Sequence, residues 1–314
     1  MTVQQKAFKS RRRYNQWVTN QTLEDFALRY TPVSARRWSA KRVVMTALSA
    51  ITFLALEAIG GALTLTYGFN YVVVAVILVS IIIFALSMPI AINAAKNGLD
   101  IDLLTRGAGF GYLGSTVTSL IYASFTFIFF ALEAAIMAMA LNMLFGLPLH
   151  FGYLIGSVVV IPLVTWGFTF ISRFQQFTQF CWLALQLLPF IFILIREHHV
   201  LQNWIDFPGF ITARDGSFDF LQLGAVCSVL LSLVSQVGEQ VDQVRFLPKP
   251  QHPARWRWYG AVIAAGPGWV VIGAIKILLG SFLAVLAFNY GLGAELASEP
   301  THMYLVAFSY VTHS

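Results

Sequence analysis

Long apolar runs separated by short polar stretches dominate the chain after residue 42. Several runs exceed the ~20 residues that an α-helix needs to cross the hydrocarbon core of a bilayer. In that core the backbone must pair its own N–H and C=O groups, and these runs are too long for barrel strands. The pattern predicts seven spans, over residues 43–66, 70–94, 113–145, 151–172, 176–196, 219–241 and 258–289.

Composition agrees with an all-α integral membrane protein. Of the 314 residues, 58% are hydrophobic and 11% are charged, and the mean hydropathy is +0.72. Soluble domains carry about 25% charged residues, so most of this surface is not adapted to water. We therefore exclude a soluble domain.

The positive charges lie mainly on one predicted side of the membrane. Ten of the 20 Lys and Arg residues fall in the first 42 residues, and seven more fall in the loops on the same side. Only Arg196 and Arg214 fall on the other side, while Lys276 lies within a span. By the positive-inside rule the N-terminus is cytoplasmic, and this placement explains the net charge of +6 without nucleic acid.

The spans divide the chain into four parts. Residues 1–42 form a basic cytoplasmic segment, residues 43–196 a first block of five helices, residues 197–218 an extracytoplasmic loop, and residues 219–314 part of a second block. An eighth apolar run begins at Met303 just before the chain stops at Ser314, which predicts that the sequence belongs to a longer protein.

Three carboxylates lie well inside predicted spans, namely Glu57, Glu133 and Glu239. Such groups are costly in a bilayer and usually face a cavity or a partner. Glu57 precedes Gly60 and Gly61, and a helix break there would free backbone groups for a ligand or ion. Close helix packing through the two glycines is the alternative interpretation.

The other two acids end stripes of related side chains. Tyr122, Phe125, Phe129 and Glu133 share one face of the third span, which suits a flat nitrogen-bearing ring but also an ordinary aromatic core. In the sixth span Ser228, Ser232, Ser235, Glu239 and Asp242 share a face. That stripe favours a polar cavity, with hydrogen bonding between helices as the alternative.

Spans one and six therefore repeat one pattern, a glycine beside a carboxylate within the membrane, five spans apart. Interrupted helices at matching positions of two halves indicate an inverted-repeat transporter. The glycine-rich segment from Gly107 to Gly114 lacks the preceding strand of a dinucleotide-binding loop, so it predicts a hairpin. With no catalytic or metal motif visible, we expect neither an enzyme nor a cofactor.

Three segments resemble the nucleobase–cation symporter family, the purine–cytosine permease and hydantoin transporter group. Leu104–Ser115 (LTRGAGFGYLGS) resembles its Arg-Gly-rich turn, and Asp242–Phe246 (DQVRF) resembles its DFSRY motif. Phe129 and Glu133 match the spacing of a stacking Trp and a hydrogen-bonding Gln. Phe for Trp and Glu for Gln are departures, and the acid favours a cationic or donor-rich ligand or proton coupling.

The resemblance implies a LeuT-type fold of inverted five-helix repeats, here incomplete, working by alternating access in a bacterial inner membrane. It implies a nucleobase-like solute held by Glu57, Gly60, Gly61, Phe125, Phe129, Glu133, Ser235 and Glu239. A coupling cation, Na⁺ or H⁺, would bind at Glu57, Ala58 and Gly61, and gating or structural roles fall to Arg106, Asp242 and Arg245.

Two segments resemble more closely the permease-like membrane domain of bacterial hybrid sensor histidine kinases. These are Tyr14–Asp25 (YNQWVTNQTLED) and Ser119–Glu133 (SLIYASFTFIFFALE). This resemblance implies a solute-sensing input domain, with a fused or associated kinase region beyond this chain, as the alternative to a transporter.

Overall fold

The computed structural model describes residues 30–165, 167–197, 199–211, 218–250 and 255–312. The basic segment up to residue 29, and with it Tyr14–Asp25, lies outside the described residues, as does Arg214. The described part is helical, with no strand in it. Its helices are α1 (Ala40–Ser49), α2 (Ala55–Tyr67), α3 (Phe69–Asn97), α4 (Ile101–Thr105), α5 (Gly111–Phe145), α6 (Leu149–Thr165), α7 (Gly167–Arg196), α8 (His199–Ile205), α9 (Phe220–Leu231), α10 (Gln236–Val244), α11 (Arg255–Ala265), α12 (Trp269–Asn289), α13 (Ala294–Ala297) and α14 (Pro300–Thr312).

Five helical stretches are long and apolar enough to cross a bilayer. They are Phe69–Asn97, Ile101–Phe145, Phe170–Arg196, Phe220–Val244 and Arg255–Asn289, while Leu149–Thr165 is apolar but shorter. Many large apolar side chains on these helices point outward, as lipid-facing residues do; Leu113, Phe127 and Phe177 are each more than 70% exposed. These features are those of a multi-pass α-helical membrane protein, as the apolar pattern predicts.

The first predicted span, residues 43–66, is two helices with a break. Helix α1 ends at Ser49 and α2 begins at Ala55, so residues 50–54 separate them. The sequence predicts a break at Gly60 and Gly61, and that position is wrong. Both glycines lie inside α2, where the helical backbone is already hydrogen-bonded.

Gly60 and Gly61 instead let α2 approach α12 closely. A Cβ atom at Gly60 would overlap the carbonyl oxygen of Ile277, and one at Gly280 would overlap the backbone of Glu57. The packing interpretation of these glycines is therefore confirmed. It follows that the backbone at Glu57, Ala58 and Gly61 is not freed for a cation.

The sixth span is also interrupted. Helix α9 ends at Leu231, a 3₁₀ turn covers Ser232–Ser235, and α10 continues from Gln236. A short tight turn inside a long helix often marks a hinge or a functional position. The irregular turn lies one helical turn before Glu239, close to the position that the sequence predicts.

The remaining connections differ in part from the sequence prediction. The glycine-rich segment predicted as a hairpin is instead a π-helical kink over Arg106–Phe110, inside the helical stretch Ile101–Phe145, with Gly109 and Gly111 at positive φ (109° and 65°). The predicted loop 197–218 contains α8 and then a strap that caps α2, since Phe210 N donates to Leu65 O (2.9 Å) and Ile211 N to Thr66 O (2.8 Å).

Because α2 and α12 touch at Gly60, we expect Gly60→Ala to destabilise the protein by about 1–3 kcal/mol through overpacking. The measurement is thermal or denaturant unfolding of the purified protein in detergent. Gly224→Ala is the control, since a Cβ there meets no atom within 4 Å, and we expect it to be neutral or slightly stabilising. Equal effects of the two substitutions would contradict the close α2–α12 contact.

Candidate functional site

Glu133 closes the break in the first span. Its Oε1 atom accepts a hydrogen bond from the backbone N–H of Ala55 at 2.8 Å. Ala55 is the first residue of α2, and the first N–H groups of a helix have no partner within the helix. A carboxylate satisfies such a donor and also complements the positive end of the helix dipole. The third span is thereby fixed to the first at the break.

The aromatic face of the third span meets the same break. Phe53, inside the break, packs edge-on against Phe129 with ring centroids 5.2 Å apart, and Phe125 lies 4.5 Å from Phe129. These three rings contact one another in the interior between spans one and three. The structure thus brings Phe125, Phe129 and Glu133 together with the first span.

Glu57 and Lys276 form a buried ion pair between α2 and α12. Nζ of Lys276 lies 2.5 Å from Oε1 of Glu57, and the two side chains are 2% and 0% exposed. A lysine inside a span either pairs with an acid or reaches toward the membrane surface. Pairing is the outcome, because an unpaired charge at this depth would be far more costly.

Two polar side chains that the sequence analysis missed complete the surroundings of Glu57. Gln186 of α7 donates to its Oε1 atom from Nε2 at 2.9 Å, and the hydroxyl of Tyr304 on α14 lies 3.4 Å from the same oxygen. Trp182, one helical turn before Gln186, lies beneath the ammonium of Lys276, with Nζ 4.7 Å from the ring centroid.

A sequence signal for Gln186 does exist. Ser172, Gln179 and Gln186 recur every seven residues along α7, which puts them on one face. That face meets the polar face of the first span: Ser172 Oγ lies 2.7 Å from Thr46 Oγ1, and Ser49 donates to Gln179. The hydroxyl groups of Thr46 and Ser49 in span one therefore bond to α7.

A cavity of about 720 Å³ opens beside these groups. Its walls come from the break after α1 and from α5, α7 and α14. Among the described residues, Glu133 is its one charged lining group, and Trp182, Gln186 and Tyr304 supply aromatic and polar surface. The lining residues are Thr52, Leu54, Glu133, Ile136, Met137, Ala140, Met143, Leu144, Trp182, Leu185, Gln186, Pro300, Thr301, Tyr304, Leu305 and Phe308.

The predicted residues of the sixth span do not line this cavity. Glu239 accepts a hydrogen bond from Gln236 Nε2 at 2.5 Å, and Gly238 lies against the ring of Tyr122 from the third span. Ser228 and Ser232 bond to carbonyls of their own helix, at 2.8 and 2.7 Å. Ser235 and Glu239 therefore lie near the third span but do not line the cavity. Phe125 and Phe129 of the third span do not line it either.

The predicted gating residues lie beyond the ends of the spans or near them. Arg106 pairs with Asp102 at 2.7 Å, and the fully buried Arg245 donates from Nε to the carbonyl oxygen of Asp242 at 3.1 Å. Asp100 caps α4 through the N–H of Leu103 (2.8 Å), and burial raises the pKa of its carboxyl group. Helix α10, which carries Asp242, packs against α3 and α4.

Neither a metal centre nor a known relative defines this site. Within the described ranges no group of three or more His, Cys, Asp or Glu side chains could hold a metal ion. Comparisons with protein-family models, curated proteins and solved structures gave no match to this chain. The site therefore rests on the chain's own residues and their geometry.

Because the Glu57–Lys276 pair is sealed from water, Lys276→Met should cost about 3–5 kcal/mol by leaving a carboxylate unpaired. Adding Glu57→Gln should recover much of that loss, since no charge then remains. A double-mutant cycle of unfolding free energies measures the coupling. Additive effects, or an equal loss from Lys249→Met at an exposed loop position, would contradict a stabilising pair.

Proposed function

We propose that this chain is a membrane domain of the secondary-transporter type. It binds a small nitrogenous solute and works by alternating access. The observation that carries the proposal is the position of Glu133. Its carboxylate lines the cavity and at the same time holds the start of α2 at the break in the first span. A ligand that engages Glu133 would therefore act directly on a joint between two half-helices.

The cavity has the size and surface of a small-molecule site. Its volume of about 720 Å³ lies within the ~300–1,000 Å³ typical of ligand pockets. Most of its lining is apolar, while Gln186 and Tyr304 can form hydrogen bonds and Trp182 offers a flat face. The ring on which the solute stacks is then Trp182, in place of the Phe129 expected from the family resemblance.

The charge of the lining indicates the class of solute. A carboxylate has about four acceptor sites, more than the N–H groups of α2 occupy, so Glu133 can accept from a ligand as well. Lys276 pairs with Glu57, and among the described residues no cationic side chain forms an ion pair with Glu133. A cationic or donor-rich heterocycle, such as an aminated nucleobase, fits these groups.

Two irregular segments support alternating access. The first span breaks at residues 50–54, and the sixth changes to a 3₁₀ turn at Ser232–Ser235. Interrupted helices in two halves are typical of transporters that rock about a bound solute. Of the two interruptions, the first borders the cavity. With the positive loops inside, the bilayer would be the bacterial inner membrane and the N-terminus cytoplasmic.

A sensing role would use the same cavity. The resemblance of Ser119–Glu133 to the sensor-kinase membrane domains covers the very segment that ends in the cavity's acid. Reconstitution in liposomes separates the two roles. Accumulation of a labelled solute that depends on an ion gradient supports a transporter, whereas specific binding without accumulation supports a sensor.

Glu133→Gln tests the solute site. The amide oxygen can still accept from Ala55, so the helix cap is kept while the negative charge is removed, and affinity for a cationic or aminated ring should fall tenfold or more, about 1.4 kcal/mol. The measurement is a binding titration with a panel of purines, pyrimidines and hydantoins on the purified protein. Trp182→Ala should weaken the same ligands by removing the stacking face.

Glu295→Gln is the matched control, because Glu295 is an exposed acid on α13, away from the cavity. Binding that survives Glu133→Gln and Trp182→Ala unchanged would overturn this assignment of the site. If proton coupling runs through Glu133, the pH dependence of binding changes in Glu133→Gln as well.

A further inference from the structure

The ammonium of Lys276 occupies the position at which the sequence predicts a coupling cation. The acid expected to bind that cation is Glu57, and its Oε1 atom has Nζ of Lys276 at 2.5 Å. Gln186 and Tyr304 direct polar hydrogens at the same oxygen, from 2.9 and 3.4 Å. The Oε1 atom of Glu57 is therefore already bound by a positive group of the chain itself.

Electrostatics disfavours a second cation at this place. Glu57 and Lys276 are both almost completely buried, and together they carry no net charge. A Na⁺ ion added at Glu57 would lie close to the ammonium of Lys276, and two like charges repel each other strongly in a medium of low dielectric constant. The helical backbone of α2 offers no free carbonyl at Ala58 or Gly61 to compensate.

Lys276 also contacts Trp182, a residue of the cavity wall. Its Nζ atom lies 4.7 Å from the ring centroid of Trp182, a distance at which an ammonium is attracted to the face of an aromatic ring. Trp182, Gln186 and Tyr304 line the cavity and also contact the ion pair. A solute in the cavity would thus touch the same three side chains that surround the pair.

We propose that Lys276 is a covalently attached substitute for the coupling cation at Glu57, so that this membrane domain works without Na⁺. The consequence for solute binding rests on the function proposed above. The occupation of Glu57 by the ammonium does not depend on that function, because it can be tested without any solute.

The test compares the melting temperature of the purified protein in NaCl and in choline chloride at equal ionic strength. The wild-type protein should melt at the same temperature in both, since the ammonium of Lys276 already balances the charge of Glu57. Lys276→Ala removes the ammonium and leaves the carboxylate in a small polar cavity. That variant should melt earlier in choline chloride and regain several degrees in NaCl, as mass action predicts for an ion that binds the folded state.

Two further variants separate a specific site from a general salt effect. Lys276→Arg keeps a positive group beside Glu57 and should remain indifferent to Na⁺. Glu57→Gln combined with Lys276→Met removes both charges and should also show no response to Na⁺. A response by either of them would overturn the proposal.

A Na⁺-specific rise in the melting temperature of the wild type would also overturn it, as would a Lys276→Ala protein that responds to none of Li⁺, Na⁺ and K⁺. If Lys276→Ala does not fold, the wild-type comparison alone decides: indifference to Na⁺ supports the proposal and stabilisation overturns it. Failure to find a solute for the cavity would count against the proposed function and leave these melting experiments unaffected.

Discussion

The cost of a buried carboxylate is the constraint on which the rest of this bundle depends. Glu57 lies in the membrane interior with an exposure of 0%, and it needs a positive partner within direct reach. Lys276 can supply it because α2 and α12 pack backbone to backbone at Gly60 and Gly280. Larger residues at these two positions would separate the helices and with them the charges.

The same acid also contacts side chains of two other helices. Gln186 on α7 and Tyr304 on α14 both direct polar hydrogens at Glu57, and their side chains become part of the cavity wall. Glu57 thus contacts side chains of three other helices, because buried polar groups need hydrogen-bond partners. The cavity lies next to this buried polar cluster.

A broken helix imposes a second requirement of the same kind. The first N–H groups of α2 would be unpaired in an apolar medium, and Glu133 satisfies the N–H of Ala55 from the third span. The acid that faces the cavity is for this reason held in place before any ligand arrives. A site that borders the joint at residues 50–54 serves a transporter and a sensor equally well, since both require solute binding to bias the same hinge.

The sequence by itself determined the class of protein, the approximate spans and which residues are costly enough to need a partner. Apolar run length and charge placement set these properties, and both are local quantities that can be read along the chain. Glu57, Glu133 and Lys276 stand out for that reason, as does the irregularity in the sixth span.

The tertiary structure decided which partner each residue takes. From the sequence, Gly60 and Gly61 fit a helix break and a close helix contact equally well. The position of Ile277 on α12 shows that they form a close contact. Trp182 lines the cavity and Phe129 does not, although both are aromatic residues in apolar helices. Helix propensity and periodicity define the faces of each helix, but the pairing of faces between distant helices depends on side-chain fit and buried charge, which no single segment contains.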